Sequence, residues 1–358
     1  MKTYRQSGFV ILILVLVSIA NAGQGNPAYT AREISIDGVP VVRLTDVTRE
    51  VEVSILPSLG NMACEMKIGG KNILYFPDIQ LSDFRERPIQ SGIPFMAPWA
   101  NRIDDTGFWA NGKKYEFDMA LGNIRKDQNG LPIHGLLSGS KPWQVTKVAA
   151  DERSAYVTSR FCFWKFPDLM AQWPFAHEYE MTYRLADGAL EVRTTVSNLS
   201  AEAMPLAIGF HPYFRIPGIS RDQWIMQMPA RKAVIADDRR IPTGEFKTID
   251  LPNPLSLKGI ALDDGFTDLV RNAEGRALFS IEADDKTIEL LFGPGYPVAV
   301  IWRPDPPPGQ TWDFICIEPM AGITNAMNLN HAGKYPGLQT VPAGGKWTGS
   351  FWIRTKGF

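Results

Sequence analysis

Histidine is scarce in this chain, with four in 358 residues, and cysteine is scarcer still, with three and no Cys-x-x-Cys pair. Three scattered cysteines, Cys64, Cys162 and Cys316, make neither a disulfide framework nor a structural zinc site, and they read as small buried hydrophobes. Net charge is nearly absent too: 37 basic and 38 acidic residues leave −1. Without a basic block or a Lys/Arg stripe, the electrostatic footprint of a nucleic-acid binder is missing. No stretch carries three turns of clean 3.6-residue periodicity, and 31 glycines and 27 prolines interrupt the chain. This argues against a helical architecture. There is no fixed-period repeat, no low-complexity tract and no Gly-rich phosphate loop. Beyond the first 22 residues no apolar run is long enough to span a bilayer.

The composition is otherwise that of a soluble globular protein, with 45% apolar and 21% charged residues. The N-terminus stands apart. Lys2 and Arg5 precede an apolar run from Gly8 to Ile19, and Ala20-Asn21-Ala22 follows. Small residues at −3 and −1 after a short apolar core are the pattern of a secretory signal peptide; an uncleaved anchor is the alternative. The expected organisation is a signal peptide over 1–22 and a single domain over 23–358. The protein would then be exported, periplasmic or secreted, with no membrane association once the leader is removed. No sequence feature sets its oligomeric state.

The rest of the chain alternates. Val51, Val53 and Ile55 interleave with Glu52 and Ser54. Tyr179, Met181, Tyr183 and Leu185 interleave with Glu180, Thr182 and Arg184, and after Asp187-Gly188 the pattern resumes at Leu190, Val192, Thr194 and Val196. A period of two sends one set to a core and the other to solvent, and Asp-Gly between two such runs marks a hairpin. Asp37-Gly38 marks another, and Trp347, Gly349, Phe351 and Ile353 suggest a last strand. The fold class is therefore all-β, a large antiparallel β-sandwich. The polar stretch from Ala230 to Asp250 reads as a loop crossing the sandwich, and Pro304 to Gly309 as a stiff loop.

Two of the four histidines lie in unusual settings. His134 sits in Pro132-Ile133-His134-Gly135 and His211 in Gly209-Phe210-His211-Pro212-Tyr213-Phe214. Pro and Gly neighbours put such side chains at turns or strand ends, facing either a cleft or structural partners. Glu318 ends the apolar run Phe314-Ile315-Cys316-Ile317. Desolvation there would raise its pKa and make it a stronger base once ionised; alternatively it turns into water before Pro319. Asn101-Arg102 and Asp263 could bind hydroxyls, or serve as an ion-pair partner and a turn residue. His177, Trp164 and Trp173 read as core or rim packing rather than a cleft wall.

Taken together, the segments Gly92–Ile103 (GIPFMAPWANRI), Pro132–Gly135 (PIHG), Gly209–Phe214 (GFHPYF), Ile241–Glu245 (IPTGE), Leu262–Phe266 (LDDGF) and Ile315–Pro319 (ICIEP) resemble the aldose 1-epimerase (galactose mutarotase) family in content and order. The likeness runs over roughly residues 30–355. It implies a β-supersandwich with an open cleft, and a small sugar as the molecule bound. It also implies Glu318 as general base, His211 as general acid, His134 as a second histidine at the ring oxygen, and Arg102, Asp263 and Asn101 as sugar-binding residues. The motif after residue 133 reads HGL where many galactose mutarotases have HGG, and that after residue 210 reads HPYF, a form of less characterised branches, so the sugar is left open.

Such an enzyme interconverts the α and β anomers of a free hexose by opening the ring. It needs a carboxylate and an imidazolium on opposite sides of the anomeric unit, Glu318 ionised and His211 protonated at the start, and no cofactor or metal. One alternative is a hexose-6-phosphate 1-epimerase, which requires a cationic phosphate subsite that the sequence does not disclose. Another is a non-catalytic carbohydrate-binding protein on the same fold. A lyase or hydrolase using Asp263 with Glu318 would leave the histidines without a role.

Overall fold

A computed structural model describes residues 27–138 and 143–358. The leader expected over 1–22 lies outside the described residues. The rest is built on antiparallel strand pairs gathered in three large sheets and two small ribbons. The first sheet is a five-stranded meander from Tyr29–Ile36 to Lys71–Asn72. Its first turn is Asp37-Gly38, with φ of 51° and 74°, the left-handed pair that a two-residue hairpin demands.

The second sheet has nine strands. At its centre Lys346–Lys356 lies between Lys286–Phe292 and Ala189–Asn198. The last strand of the chain thus joins two hairpins made earlier. His177–Ala186 and Ala189–Asn198 pair in full register about Asp187-Gly188, where φ is 50° and 70°. Along the first of these strands the odd positions His177, Tyr179, Met181, Tyr183 and Leu185 are buried, and Glu180 and Arg184 are exposed.

The third sheet has eight strands and carries the chemistry. Its path runs Pro242–Thr248, Ala230–Ala236, Leu262–Leu269, Val298–Arg303, Ile315–Met320, Gly209–Phe210 and Phe95–Met96, with Tyr213–Phe214 also on Ile315–Met320. One apolar cluster takes side chains from all three sheets, among them Val53, Tyr183, Phe210, Ile317 and Phe351. The stretch 230–250 is not a crossing loop: it is a hairpin at the edge of the third sheet. Its strands bury little more than Ala233, Val234 and Pro242, and the Asp237 carboxylate ties its turn to the amides of Arg239 and Ile241. A hairpin at a sheet edge that buries so few side chains has the composition of a loop.

No helix exceeds six residues among the described ones, and none there is long and apolar enough to cross a membrane. Cys64 and Cys316 are buried and unpaired. Cys162 is only half-buried, with Sγ 3.7 Å from Glu178. His177 is core: Phe163 stacks on it and its Nδ1 lies 2.6 Å from the Phe175 carbonyl. Trp173 is buried and Trp164 exposed.

Residues 131–137 lie along 97–103. The Ile133 and Arg102 backbones form an antiparallel bridge, and the Leu136 amide donates to the Ala97 carbonyl at 2.7 Å. His134 and Gly135 both take positive φ, 63° and 66°. A Cβ on Gly135 would come within 2.2 Å of the Ala97 carbonyl oxygen, so the turn can pass that close only without a side chain. Gly135→Ala is therefore expected to lower unfolding free energy by about 3 kcal/mol through overpacking, read from the urea midpoint. A midpoint shift within error would show that the two segments can part at no cost.

Candidate active site

Alternation along Ile315–Met320 divides its side chains between two faces. Ile315 and Ile317 join the main core, while Cys316 and Met320 belong to separate small clusters on the other face. Glu318 shares that second face. Next to it, Val298–Arg303 sends Ala299 and Ile301 inward and Trp302 outward. Asp263 pairs with Trp302 across the next strand. Phe210 and Phe214 face the core, so His211 and Tyr213 between them face out. Glu318, Trp302, Asp263 and His211, from four stretches of the chain, are thus delivered to one sheet face by period-two geometry.

That face floors a cleft of about 430 Å³, within the ordinary range for a small-molecule site. All six residues singled out from the sequence line it: Asn101, Arg102, His134, His211, Asp263 and Glu318. His211 Nε2 lies 3.3 Å from Glu318 Oε1. Asn101 Nδ2 stands 3.5 Å from Glu318 Oε2. The His134 ring meets the His211 ring edge-on at 5.3 Å, and Tyr213 stacks under His211 at 4.7 Å. The fourth histidine, His331, stacks on Trp109 outside the cleft.

The acid and base candidates are therefore side by side rather than on opposite sides. The expected charge state is revised as well. Glu318 is 1% exposed, and burial, with the Asp263 charge added, pushes its carboxyl well above the usual range against the pull of Arg102 and Asn101. Burial depresses His211 to about 3, with Arg125 adding to the effect. His134 is depressed by burial, by His211 and by Arg125 and Arg102. The single proton of the pair rests on Glu318, because a neutral pair avoids desolvating two charges.

Arg102 is the organiser of the polar wall. Its Nε donates to Asp127 at 2.8 Å and its Nη2 lies 3.9 Å from Asp263. Asp127 also accepts from the amides of Asn129 and Leu131. Burial works against its ionisation, and Arg102 with those amides outweighs burial, holding the carboxyl below its usual range. Asp263 is raised by burial despite Arg102 and Arg240.

Sequence reasoning missed Gln90, Arg125, Lys126, Asp127, Gln128 and Trp302, which line the same cleft. The polar run 125–130 immediately before the His134 motif was the only trace of the middle four. For Trp302, one of ten tryptophans, there was no distinguishing sign.

Residues 69–354 match the sequence model of the aldose 1-epimerase family. A galactose mutarotase-like protein from Clostridium acetobutylicum is 26% identical and superposes with a TM-score of 0.79, over 92% of this chain and 98% of that one. The galactose 1-epimerase of Lactobacillus acidophilus, at 14% identity and a TM-score of 0.67 over 92% and 98%, shares the fold. Two uncharacterized proteins of Escherichia coli K12 are related in sequence. YihR is 27% identical over 159 residues, 44% of this chain and 47% of that protein, and YphB 24% over 233 residues, 63% and 71%. The chain thus spans about half the length of the first of these relatives. With the family model matched over residues 69–354, on a fold shared with a mutarotase-like protein over 92% of the chain, the chain belongs to the aldose 1-epimerase family.

Proposed function

We propose that this protein is an aldose 1-epimerase that interconverts the α and β anomers of a free hexose by ring opening. The observation that carries the reading is the buried contact of His211 Nε2 with Glu318 Oε1 at 3.3 Å, in a cleft it shares with His134, Asn101, Arg102 and Asp263.

The chemistry asks for one proton off the C1 hydroxyl and one onto the ring oxygen. Passing the resting proton from Glu318 to His211 creates a carboxylate beside an imidazolium without changing the charge of the pair. Glu318 then takes the hydroxyl proton while His211 protonates the ring oxygen, the bond from C1 to that oxygen breaks, and an open-chain aldehyde forms. The pair is left in its resting form, with Glu318 protonated and His211 neutral. Rotation about C1–C2 presents the other carbonyl face, and the steps reverse to close the ring. Asn101 orients the Glu318 carboxyl, His134 supports the ring oxygen, and Arg102 and Asp263 hold hydroxyls. A binder without turnover would have no use for an acid buried against an imidazole, since removing both from water is costly. Export, argued from residues 1–22 alone, would place the reaction outside the cytoplasm.

Polarimetry on freshly dissolved α-D-glucose and α-D-galactose tests the reaction. The wild type is expected to speed equilibration, and Glu318→Gln to lose about 10²–10⁴-fold in kcat. Near-normal turnover by the variant would remove Glu318 as the base; no acceleration of any aldose by the wild type would leave a binding protein.

The pH profile is a separate test. Only the one-proton state of the pair is active. A second proton must go to His211, so the acid limb of kcat/KM is expected near pH 3, wherever circular dichroism remains native. The alkaline limb follows loss of the Glu318 proton, well above 4.5, and should disappear from the residual activity of Glu318→Gln. An acid limb near the ordinary imidazole value would contradict a buried neutral His211.

A further inference from the structure

The charges lining the cleft do not cancel. Arg102, Arg125 and Lys126 face Asp127, Asp263 and the protonated Glu318. Arg102 takes up Asp127 and Asp263, and Arg240 at 3.7 Å shares Asp263. Among the described residues Arg125 and Lys126 are in no ion pair.

Arg125 is nevertheless held in place. Its carbonyl accepts from the Ile133 amide at 3.0 Å, and Lys126 bridges Pro132. The turn between them is closed on Asp127, whose backbone pairs with Leu131 and whose carboxylate takes the Asn129 and Leu131 amides. With the Gln90 amide oxygen facing the guanidinium, it accepts from Nη1 at 2.7 Å and Nη2 at 3.1 Å. A side-chain amide that steadies an arginine without neutralising it leaves a positive charge aimed into the cleft. A guanidinium so fixed is suited to bidentate recognition of a carboxylate or phosphate. Arg125 lines the same cleft as His211 and Glu318, so an anionic group on a sugar bound at that pair lies within reach of the guanidinium.

Building on the epimerase reading above, we propose that the hexose turned over here carries an anionic group, carboxylate or phosphate, away from the C1 centre, and that Arg125, steadied by Gln90 and with Lys126 beside it, is the residue that selects it. The six residues foreseen from the sequence include no free cation, which is why a cationic subsite was not legible there.

Exchange NMR between anomers, on the full chain, measures kcat/KM for D-glucose and D-galactose, for D-glucuronate and D-galacturonate, and for the two hexose 6-phosphates. At least one anionic series is expected to exceed its neutral sugar tenfold or more, with the advantage shrinking as salt rises. Arg125→Gln should cut that ratio at least tenfold, and Arg125→Lys should recover only part of it. An advantage confined to the uronates identifies a carboxylate, and one confined to the 6-phosphates a phosphate. Neutral sugars turned over as well as both anionic series, or a ratio untouched by Arg125→Gln, would overturn the proposal and leave the epimerase reading standing. No exchange of any of these sugars would bring down the epimerase reading and this proposal with it.

Discussion

A carboxyl group on the outward face of a central strand is the constraint around which the site is arranged. Ile315 and Ile317 are anchored in the core, so the alternation of the strand forces Glu318 onto the opposite face, between Val300 on one neighbour and the 209–214 segment on the other. Water is nearly absent there, and a carboxylate without partners would cost several kcal/mol. The protein meets this in two ways: it keeps the group protonated, and it surrounds it with Asn101, His211 and, further out, Arg102. Each of these neighbours has its own structural requirement, and those requirements account for much of the irregular backbone in the molecule.

Asn101 and His134 both adopt left-handed backbone, with φ of 53° and 63°. The His134 amide donates to the Asn101 carbonyl at 3.0 Å, so the two strained residues hold one another. Gly135 lets the second segment close on the first, and Asp127 fixes the hairpin that leads into it while tying it to Arg102. Residues 97–103 and 125–137 thus act as one wall. It sets the second histidine against the first and places Arg125 over the same space.

Much of this was legible in the sequence because much of it is periodic. The Asp37-Gly38 and Asp187-Gly188 turns, the alternating strands at 179–196 and the final strand carried their structure in their residue pattern. The six site residues were legible through short motifs, and the structure brings all six to one cleft. What was not legible depends on tertiary surroundings. The 230–250 hairpin lacks alternation because its strands bury only Ala233, Val234 and Pro242, too few side chains to impose a period of two. The proton on Glu318 follows from burial among residues distant in sequence, Asn101, His211 and Val300 among them, which no local stretch reveals. Arg125 looked like one charge among several in 125–130, and only its lack of a carboxylate partner, with Gln90 reaching it from another loop, distinguishes it.

Specificity and catalysis are coupled if Arg125 receives an anion. In the empty cleft its charge is one of the influences that disfavour an imidazolium at His211, alongside burial. Ring opening needs that imidazolium. An anionic group seated on the guanidinium cancels the repulsion and makes transfer of the proton from Glu318 to His211 less unfavourable. A neutral hexose leaves the repulsion in place. The same contact that selects the substrate would therefore help to bring the acid and base into their working forms, and the pair would charge more readily with an anionic sugar bound than with a neutral one. A buried neutral resting pair then ceases to be at odds with acid–base chemistry: it is the low-cost state of an unoccupied cleft, and the substrate's own charge supplies part of what is needed to leave it.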